Sequence, residues 1–438
     1  MRTIFKKIVA YILQAESRLV VWKYKPKIVA ITGSIGKTST KDTIYAVLSG
    51  ISYVRKSEKS YNSEIGLPLT ILGCPNGWNN FFVWLLNIFK GLWLFVWPHK
   101  YPDWLVLEAG VGKPNDMRHT ASWLKTDAVV ITAIGETPAH IEFFDSHKHL
   151  VEEKSGLIKT LKKDGLLVLN NDDEIVSEMR AKTKNRVITF GFRKSSDIIC
   201  SDDSISYNDA GIPHGIIFRI EERGSSLPVA IEGAFGKNHV YASLGALALS
   251  SGLKFNMLKA IEALKNYNAP PGRMRLLRGM NNSLIIDDTY NSSPFACQSA
   301  LKTLGEVRSV GRKIAVLGDM LELGRHTEES HKNVGKVAKE NADVLFIVGP
   351  RAKFIKEGAM EVYPAMGGTG MTADNIFEFS NSCEAGEYLK TFVRENDFVL
   401  LKGSQGMRME RAVEAILLDQ ENKSNLLVRQ DEEWLKKK

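Results

Sequence analysis

The stretch that most constrains this chain is Ile28-Val-Ala-Ile-Thr-Gly-Ser-Ile-Gly-Lys-Thr-Ser-Thr40. Ile28–Thr32 is apolar and mostly β-branched, the composition of a buried strand. Gly33 and Gly36 then break the strand, and helix-compatible sequence follows at once, which commits this part of the chain to an α/β unit. The turn also carries chemistry. Gly33, Ser34 and Gly36 let backbone amides converge on anionic oxygens. A helix starting near Thr38, with Ser39 in its first turn, aims its unpaired N–H groups at the same point, and Lys37 adds a charge. The Thr38 hydroxyl is the natural ligand for a magnesium ion carried by a nucleotide. Gly33–Thr38 is two residues shorter than the general phosphate-loop pattern, so the strand–turn–helix context carries the reading. A plain glycine turn before a helix leaves the coincidence of spacing, Lys and Thr unexplained.

At 438 residues the chain is long for one core, and two or three domains are expected. Four cysteines (74, 200, 297 and 383) are scattered without a CxxC pair. That argues against a disulfide framework or structural zinc and fits a reducing, cytoplasmic setting. The net charge of +8 suits nucleic acid, anionic substrates or a membrane surface. No nucleic-acid motif or stacking platform accompanies it, so no nucleic-acid partner is expected.

Residues 1–27 hold seven Arg/Lys against one acid, Glu16, interleaved with apolar residues. They read as a basic amphipathic helix with Ile4, Ile8, Ile12 and Ala15 on one face. Such a helix either packs on the nucleotide domain or touches a membrane. Residues 81–97 are apolar except for Asn87, Lys90 and Gly91, and include Trp84, Trp93 and Trp97. The run is at or below the lower limit for a spanning helix. A buried core helix, a helix lying on a membrane surface, and a true span are the three readings, and a possible peripheral position on the inner face of the cell membrane follows from the second.

Further strands are expected at 104–110, ending near Glu108, at 128–134, running toward His140, and at 165–170. Ser146–Leu161 reads as a polar helix that includes Lys154. Short strands at 187–190, 215–219 and 227–231 suggest a small, partly antiparallel addition. Phe235–Leu249 opens an Ala/Leu-rich helix, and Asn268-Ala-Pro-Pro-Gly-Arg273 marks a domain boundary. The last third again alternates strands with helical patterns. The expected organisation is a basic segment 1–27, a central nucleotide-binding domain 28–268 with a mostly parallel sheet, a Rossmann-like α/β domain 269–420, and a charged, frayed tail 421–438. In the second sheet, loops at strand ends are the reactive candidates: Asp287–Pro294, Gly318–Gly324 and Lys402–Gly406.

The ordered set Thr32–Thr38, Asn62-Ser-Glu-Ile-Gly66, Glu108, Ala139-His-Ile-Glu142 with Lys154, Pro271-Gly-Arg273, Asp287-Asp-Thr-Tyr-Asn291, Gly318–Gly324 with His331, and Lys402-Gly-Ser404 resembles the Mur ligase family of ATP-dependent amide-bond-forming enzymes. The resemblance covers roughly residues 28–418. It implies transfer of the ATP γ-phosphoryl group to a substrate carboxylate, followed by attack of an amine on the acyl phosphate. The implied partners are a muramyl-peptide or lipid-linked peptide substrate, and D-alanyl-D-alanine or another amine, with the enzyme acting as a monomer.

The resemblance also implies roles. Lys37 and the loop would hold phosphates, and Thr38 and Glu108 the first of two magnesium ions. His140 would hold the second, helped by a carbamylated Lys154. Arg273 and Lys402 would neutralise charge, and Asp288, Tyr290 and Asn291 would contact nucleotide. Asn238 and His239 stand on the adenine side, in an order transposed from the family's usual one. Gly156 occupies a position where the family carries an acid near the modified lysine. The small domain that holds a UDP group has no counterpart before residue 28, which points toward a lipid-linked or membrane-surface acceptor. A P-loop ATPase without amide synthesis is the alternative, and it would leave the second sheet's loops unused.

Overall fold

The computed structural model describes residues 2–58, 61, 64–78, 80–135, 144–361 and 371–436, with side chains from residue 8 onward. The chain divides into two units. The first is Met1–Asp203 with Phe218–Ala230 and Lys237–Tyr267; the second is Asn268–Lys438 with Ser204–Ile217 and Ile231–Gly236.

The chain opens with α1 (Arg2–Tyr24), β1 (Lys27–Thr32), α2 (Lys37–Ser49), β2 (Val54–Lys56), α3 (Gly66–Leu72), α4 (Phe81–Val96) and β3 (Trp104–Glu108). It continues through α5 (Asp116–Trp123), β4 (Thr126–Ile131), α6 (His147–Ser155), β5 (Leu161–Asn170), α7 (Glu174–Glu178), β6 (Arg186–Gly191) and β7 (Ile198–Tyr207). Then come β8 (Pro213–Glu222), β9 (Ser225–Glu232), α8 (Lys237–Gly252) and α9 (Met257–Leu264). The parallel strands lie in the order β2-β3-β1-β4-β5-β6-β7, which β8 and β9 continue. After β1 the chain builds β2 and β3 on one side, then crosses to β4 on the other. The end of β1 is therefore a switch point of the sheet, where open α/β sheets gather ligands. Ile28–Ile31 are fully buried there, as their apolar run requires.

The basic N-terminal helix is seated differently from the expected face. Val9, Leu13, Glu16, Ser17 and Val20 are buried, whereas Ile8 is exposed, Ala15 is exposed and Ile12 is only half-buried. The buried side joins α3 and α4 in one core with Leu67, Leu72, Trp84 and Leu94. Each fully buried large side chain in such a core contributes about 1.5–3 kcal/mol. α4 buries only Trp84, Asn87, Gly91 and Leu94, a stripe at helical spacing. It is thus neither an all-round core helix nor a span, and among the described residues no helix is long and apolar enough to cross a membrane. Asn80 caps its first turn by accepting from the Phe82 and Val83 amides. At its other end, Lys23 Nζ donates to the carbonyls of Leu94 (3.1 Å), Phe95 (2.7 Å) and Trp97 (2.9 Å), and Tyr24 donates to those of Leu94 and Trp97. A cation on the terminal carbonyls of a helix also complements its dipole.

The second unit carries β10 (Arg275–Arg278), β11 (Leu284–Asp288), α10 (Pro294–Glu306), β12 (Lys313–Gly318), α11 (Thr327–Asn341), β13 (Val344–Val348) and α12 (Lys353–Met360). β14 (Ile376–Phe379), α13 (Ser382–Phe392), β15 (Phe398–Lys402), α14 (Glu410–Ile416), α15 (Lys423–Leu426) and α16 (Glu432–Leu435) follow. Its sheet runs β10-β11-β15-β12-β13-β14, with only β10 antiparallel to its neighbour. The adjacent central strands β11, β15 and β12 end in the three candidate loops. The tail is not frayed as its charge suggests: Leu427 is buried, and the Arg429 side chain is closed in against Glu410.

Candidate active site

The phosphate loop leaves β1 through Gly33 and enters α2 through Gly36, whose φ of 82° is left-handed backbone that favours glycine. A Cβ at Gly36 would meet nothing within 4 Å, so the space in front of it is open. No side chain caps α2, and its first turn holds no acid. The Ser34 and Ile35 amides are already used by the Ala133 carbonyl, at 2.6 and 3.1 Å. The anion cradle on offer is therefore the N-terminus of α2, not the whole loop. The Ser34 hydroxyl is buried without a hydrogen-bond partner among the described residues.

Two lysines converge on this loop. Lys37 Nζ donates to the carbonyls of Gly33 (2.9 Å) and Ser34 (3.3 Å). Lys154, near the end of α6, donates to the same Gly33 carbonyl at 3.1 Å. Lys154 is buried, and desolvation, with the nearby Lys37 charge second, lowers its pKa to about 7. Two amines on one carbonyl oxygen, Lys37 and Lys154, set positive potential where an anion would sit, and a bound anion would favour the charged form of both. Ser39 is buried in the first turn of α2.

Beside them, Thr38 Oγ1 donates to Glu108 Oε2 at 3.1 Å. The register Ile31↔Glu108 brings the end of β3 level with the loop. Lys41 Nζ stands 3.9 Å from the same carboxylate and 3.6 Å from Asp42, and is 2% exposed. Lys41 was not expected here. Its signal is the i+3 spacing from Thr38, which sets a charge on a helix face otherwise buried. Magnesium needs few protein ligands, because it keeps waters and takes phosphate oxygens. The Thr38 hydroxyl and Glu108 carboxylate fit that requirement. Among the described residues, no group of three His, Cys, Asp or Glu side chains forms a metal site. His140 lies outside the described residues, as do Asn62 and Ser63.

His239, which the resemblance puts on the adenine side, is turned into the core, its Nδ1 2.8 Å from the Tyr267 hydroxyl. Asn238, one residue earlier in the first turn of α8, is half-exposed. The transposed order thus spends the histidine on packing.

In the second unit, Asp287 and Asp288 act as staples. Asp287 Oδ2 accepts from the Gly272 amide at 2.9 Å and Oδ1 from the Thr289 hydroxyl at 2.6 Å. Burial pushes the Asp287 carboxyl up to about 6 against these bonds. Asp288 Oδ2 accepts from Lys402 Nζ at 2.6 Å, and Lys402 also donates to the Asn291 carbonyl at 2.9 Å. The Lys402 charge is therefore engaged within its own loop cluster. The Arg273 guanidinium lies 3.9 Å from the centre of the Tyr290 ring. Gly272 has a φ of 68°, and a Cβ there would come within 2.8 Å of the Tyr290 amide nitrogen. Next to this cluster, Asp319 accepts from the Arg351 amide, and its own carbonyl accepts from the Ser404 amide.

A support that the chain order hides is Arg429. It donates to the carbonyls of Thr289 and Tyr290 and to Glu410, which Arg408 also contacts. The tail thus holds the Asp287–Asn291 loop from behind.

Two family patterns match this arrangement. The Mur ligase middle domain matches residues 31–84 and 92–250, and the Mur ligase glutamate ligase domain matches residues 272–405. The chain belongs to the Mur ligase family. Curated Mur ligases similar to it include the UDP-N-acetylmuramoyl-tripeptide--D-alanyl-D-alanine ligase of Bacillus subtilis, 28% identical over 92% of this chain and 79% of that protein. The enzyme of the same name from Escherichia coli is 26% identical over 89% of this chain and 76% of its own length. Among solved structures, the MurF ligase of Thermotoga maritima in complex with ADP shares 26% identity and superposes with a TM-score of 0.73, covering 93% of this chain and 83% of that one. The folylpolyglutamate synthase of the same organism, 14% identical with a TM-score of 0.59, shares the fold and covers 94% and 97%. The middle-domain match begins after α1 and skips residues 85–91, inside α4.

Proposed function

We propose that this Mur ligase joins D-alanyl-D-alanine to the carboxylate of a UDP-N-acetylmuramoyl tripeptide, in the cytoplasm, with ATP as the driving nucleotide. The observation that carries the reading is the uncapped N-terminus of α2, flanked by two lysines and the Thr38–Glu108 pair on one sheet edge. The amides of Lys37, Thr38 and Ser39 bind the terminal phosphates, with Gly33, Ser34 and Gly36 shaping the turn, and Lys37 neutralises charge that builds on the transferring group. Thr38 and Glu108 hold a magnesium ion, which supplies Lewis-acid polarisation and a template. His140 and a carbamylated Lys154 serve a second ion. A Lys154 pKa near 7 leaves a large neutral fraction, the form that attacks carbon dioxide; the new N–C bond forms as the nitrogen loses a proton.

The substrate carboxylate attacks the γ-phosphorus and ADP leaves. The amine then attacks the acyl carbon, the C–O bond to phosphate breaks, and the amine proton is released. In the second unit, Arg273, Asp288, Tyr290, Asn291 and Lys402 form the candidate nucleotide and phosphate contact, and Asn238 the candidate base contact. A lipid-linked acceptor, with the enzyme on the inner face of the membrane, is the second reading, favoured by the apolar face that α4 presents to solvent.

The test is ADP release measured with tripeptide precursor and D-alanyl-D-alanine together and each alone. Release only with both supports the ligase. ATP hydrolysis at the full rate without amine overturns it.

A further inference from the structure

We infer that the outward face of α4, together with the exposed stripe of α1, docks on the surface of an anionic lipid bilayer. Opposite its buried stripe, α4 exposes Phe82, Leu85, Leu86, Phe89, Trp93 and Val96. α1 adds Ile8, Tyr11, Leu19 and Trp22, spaced as one side of a helix. A patch of this size in water marks a contact surface.

The occupant follows from charge and shape. No Asp or Glu occurs from residue 65 to 102, a stretch that carries Lys90, His99 and Lys100. Among the described side chains of residues 8–27, Arg18, Lys23, Lys25 and Lys27 are cationic, and the one acid, Glu16, is buried. A two-fold contact with a second copy would set this basic rim against itself. An anionic leaflet is complementary to it. Trp93 and Trp97 stack at 5.0 Å, and Trp93 Nε1 donates to His99 Nε2 at 3.1 Å. Amphipathic rings of this kind favour the headgroup level. With Lys23 and Tyr24 holding its last carbonyls and its inner stripe seated in the core, α4 lies on a bilayer and does not enter it as a span. The family pattern begins at residue 31, after α1, and skips residues 85–91 in the middle of α4. The inference is independent of the ligase reading.

The experiment sediments the full chain with vesicles of phosphatidylcholine alone and of phosphatidylcholine with phosphatidylglycerol. The wild type is expected to bind the anionic vesicles at least about tenfold better, and less at high salt. Phe82→Glu/Phe89→Glu is expected to lose at least about tenfold of that binding with an unchanged circular-dichroism spectrum. Brominated lipids supply a measurement on the wild type alone and should quench its tryptophan fluorescence. Absence of wild-type binding, absence of quenching, or equal binding by the folded double variant overturns the proposal. So does a wild-type dimer in sedimentation velocity that the double variant dissociates, since the face would then be an interface between copies.

Discussion

Lys154 Nζ sits 3.1 Å from the Gly33 carbonyl oxygen, 121 positions earlier in the chain, and Lys37 donates to that same oxygen. The pairing puts a buried amine with a pKa near 7 at the mouth of the phosphate loop.

Carbamylation at Lys154 is therefore expected to rise as pH increases through about 7, where the neutral amine takes over. Labelled bicarbonate should give a carbamate carbon signal in the wild type that is missing in Lys154→Arg. The stability sign is also fixed. The unmodified folded lysine binds fewer protons than the unfolded one between about pH 7 and 10.5, so its contribution is present at high pH and is lost as pH falls through 7. Lys154→Met should remove that slope in denaturant melts.

Replacing Lys37 by alanine is expected to cut turnover by roughly 10²–10³-fold, the scale of losing one charge-stabilising group. The Lys37 bonds to the Gly33 and Ser34 carbonyls are partly buried, so the thermal midpoint should move little. ADP release and melting, read on the same preparation, check both halves.

Glu16 offers a pH test of the α1–α4 packing. Its carboxyl is buried without a hydrogen-bond partner among the described residues, and desolvation raises its pKa from 4.5 to about 7. A raised carboxyl stabilises fully below the unfolded value and loses that contribution as pH rises toward the folded one. The wild type should lose on the order of 3 kcal/mol between pH 4.5 and 7 from this group, and Glu16→Gln should lack that part of the slope. A Cβ at Gly91 would come within 2.1 Å of Glu16 Oε2, so Gly91→Ala should force the Glu16 carboxylate to turn away and change the pH slope that Glu16 sets.

Arg429→Ala is expected to cost about 3–5 kcal/mol at most, because it leaves Glu410 short of a buried partner, although Arg408 remains. Faster amide exchange at Tyr290, whose carbonyl Arg429 holds, would distinguish release of the loop from general loosening.

Much of the fold was legible because the strands announce themselves. Ile28–Thr32, Ala128–Ile131 and Leu284–Asp288 are short apolar runs closed by glycine or polar residues, and each is a strand. The Thr38–Glu108 meeting came from the family resemblance, and the structure gives its geometric reason: the two residues follow or end neighbouring parallel strands. What failed had a physical cause in each case. α1 is apolar on two sides, so periodicity could not say which side faces inward, and the stripe of Val9, Leu13 and Val20 prevailed. β7 was missed because Ile198–Tyr207 is rich in Asp and Ser, poor strand formers that pairing with β6 overrides. The polar helix at 146 stops at Ser155, and a tighter helical turn completes it. The folded tail depends on Arg429 finding Glu410 and the Thr289–Tyr290 carbonyls, distances that no local pattern encodes.

The seating of α1 on α4 sets an order of events during synthesis. α1 emerges first, but its inner stripe is covered in stages, by α3 and then by α4, whose cap at Trp97 is made more than seventy residues later. At ribosomal speed that interval is on the order of ten seconds, during which the side of α1 that α4 covers is open to the surroundings. A nascent chain held near a bilayer over that time would offer lipid the outer stripe of α1 before α4 has closed the core behind it.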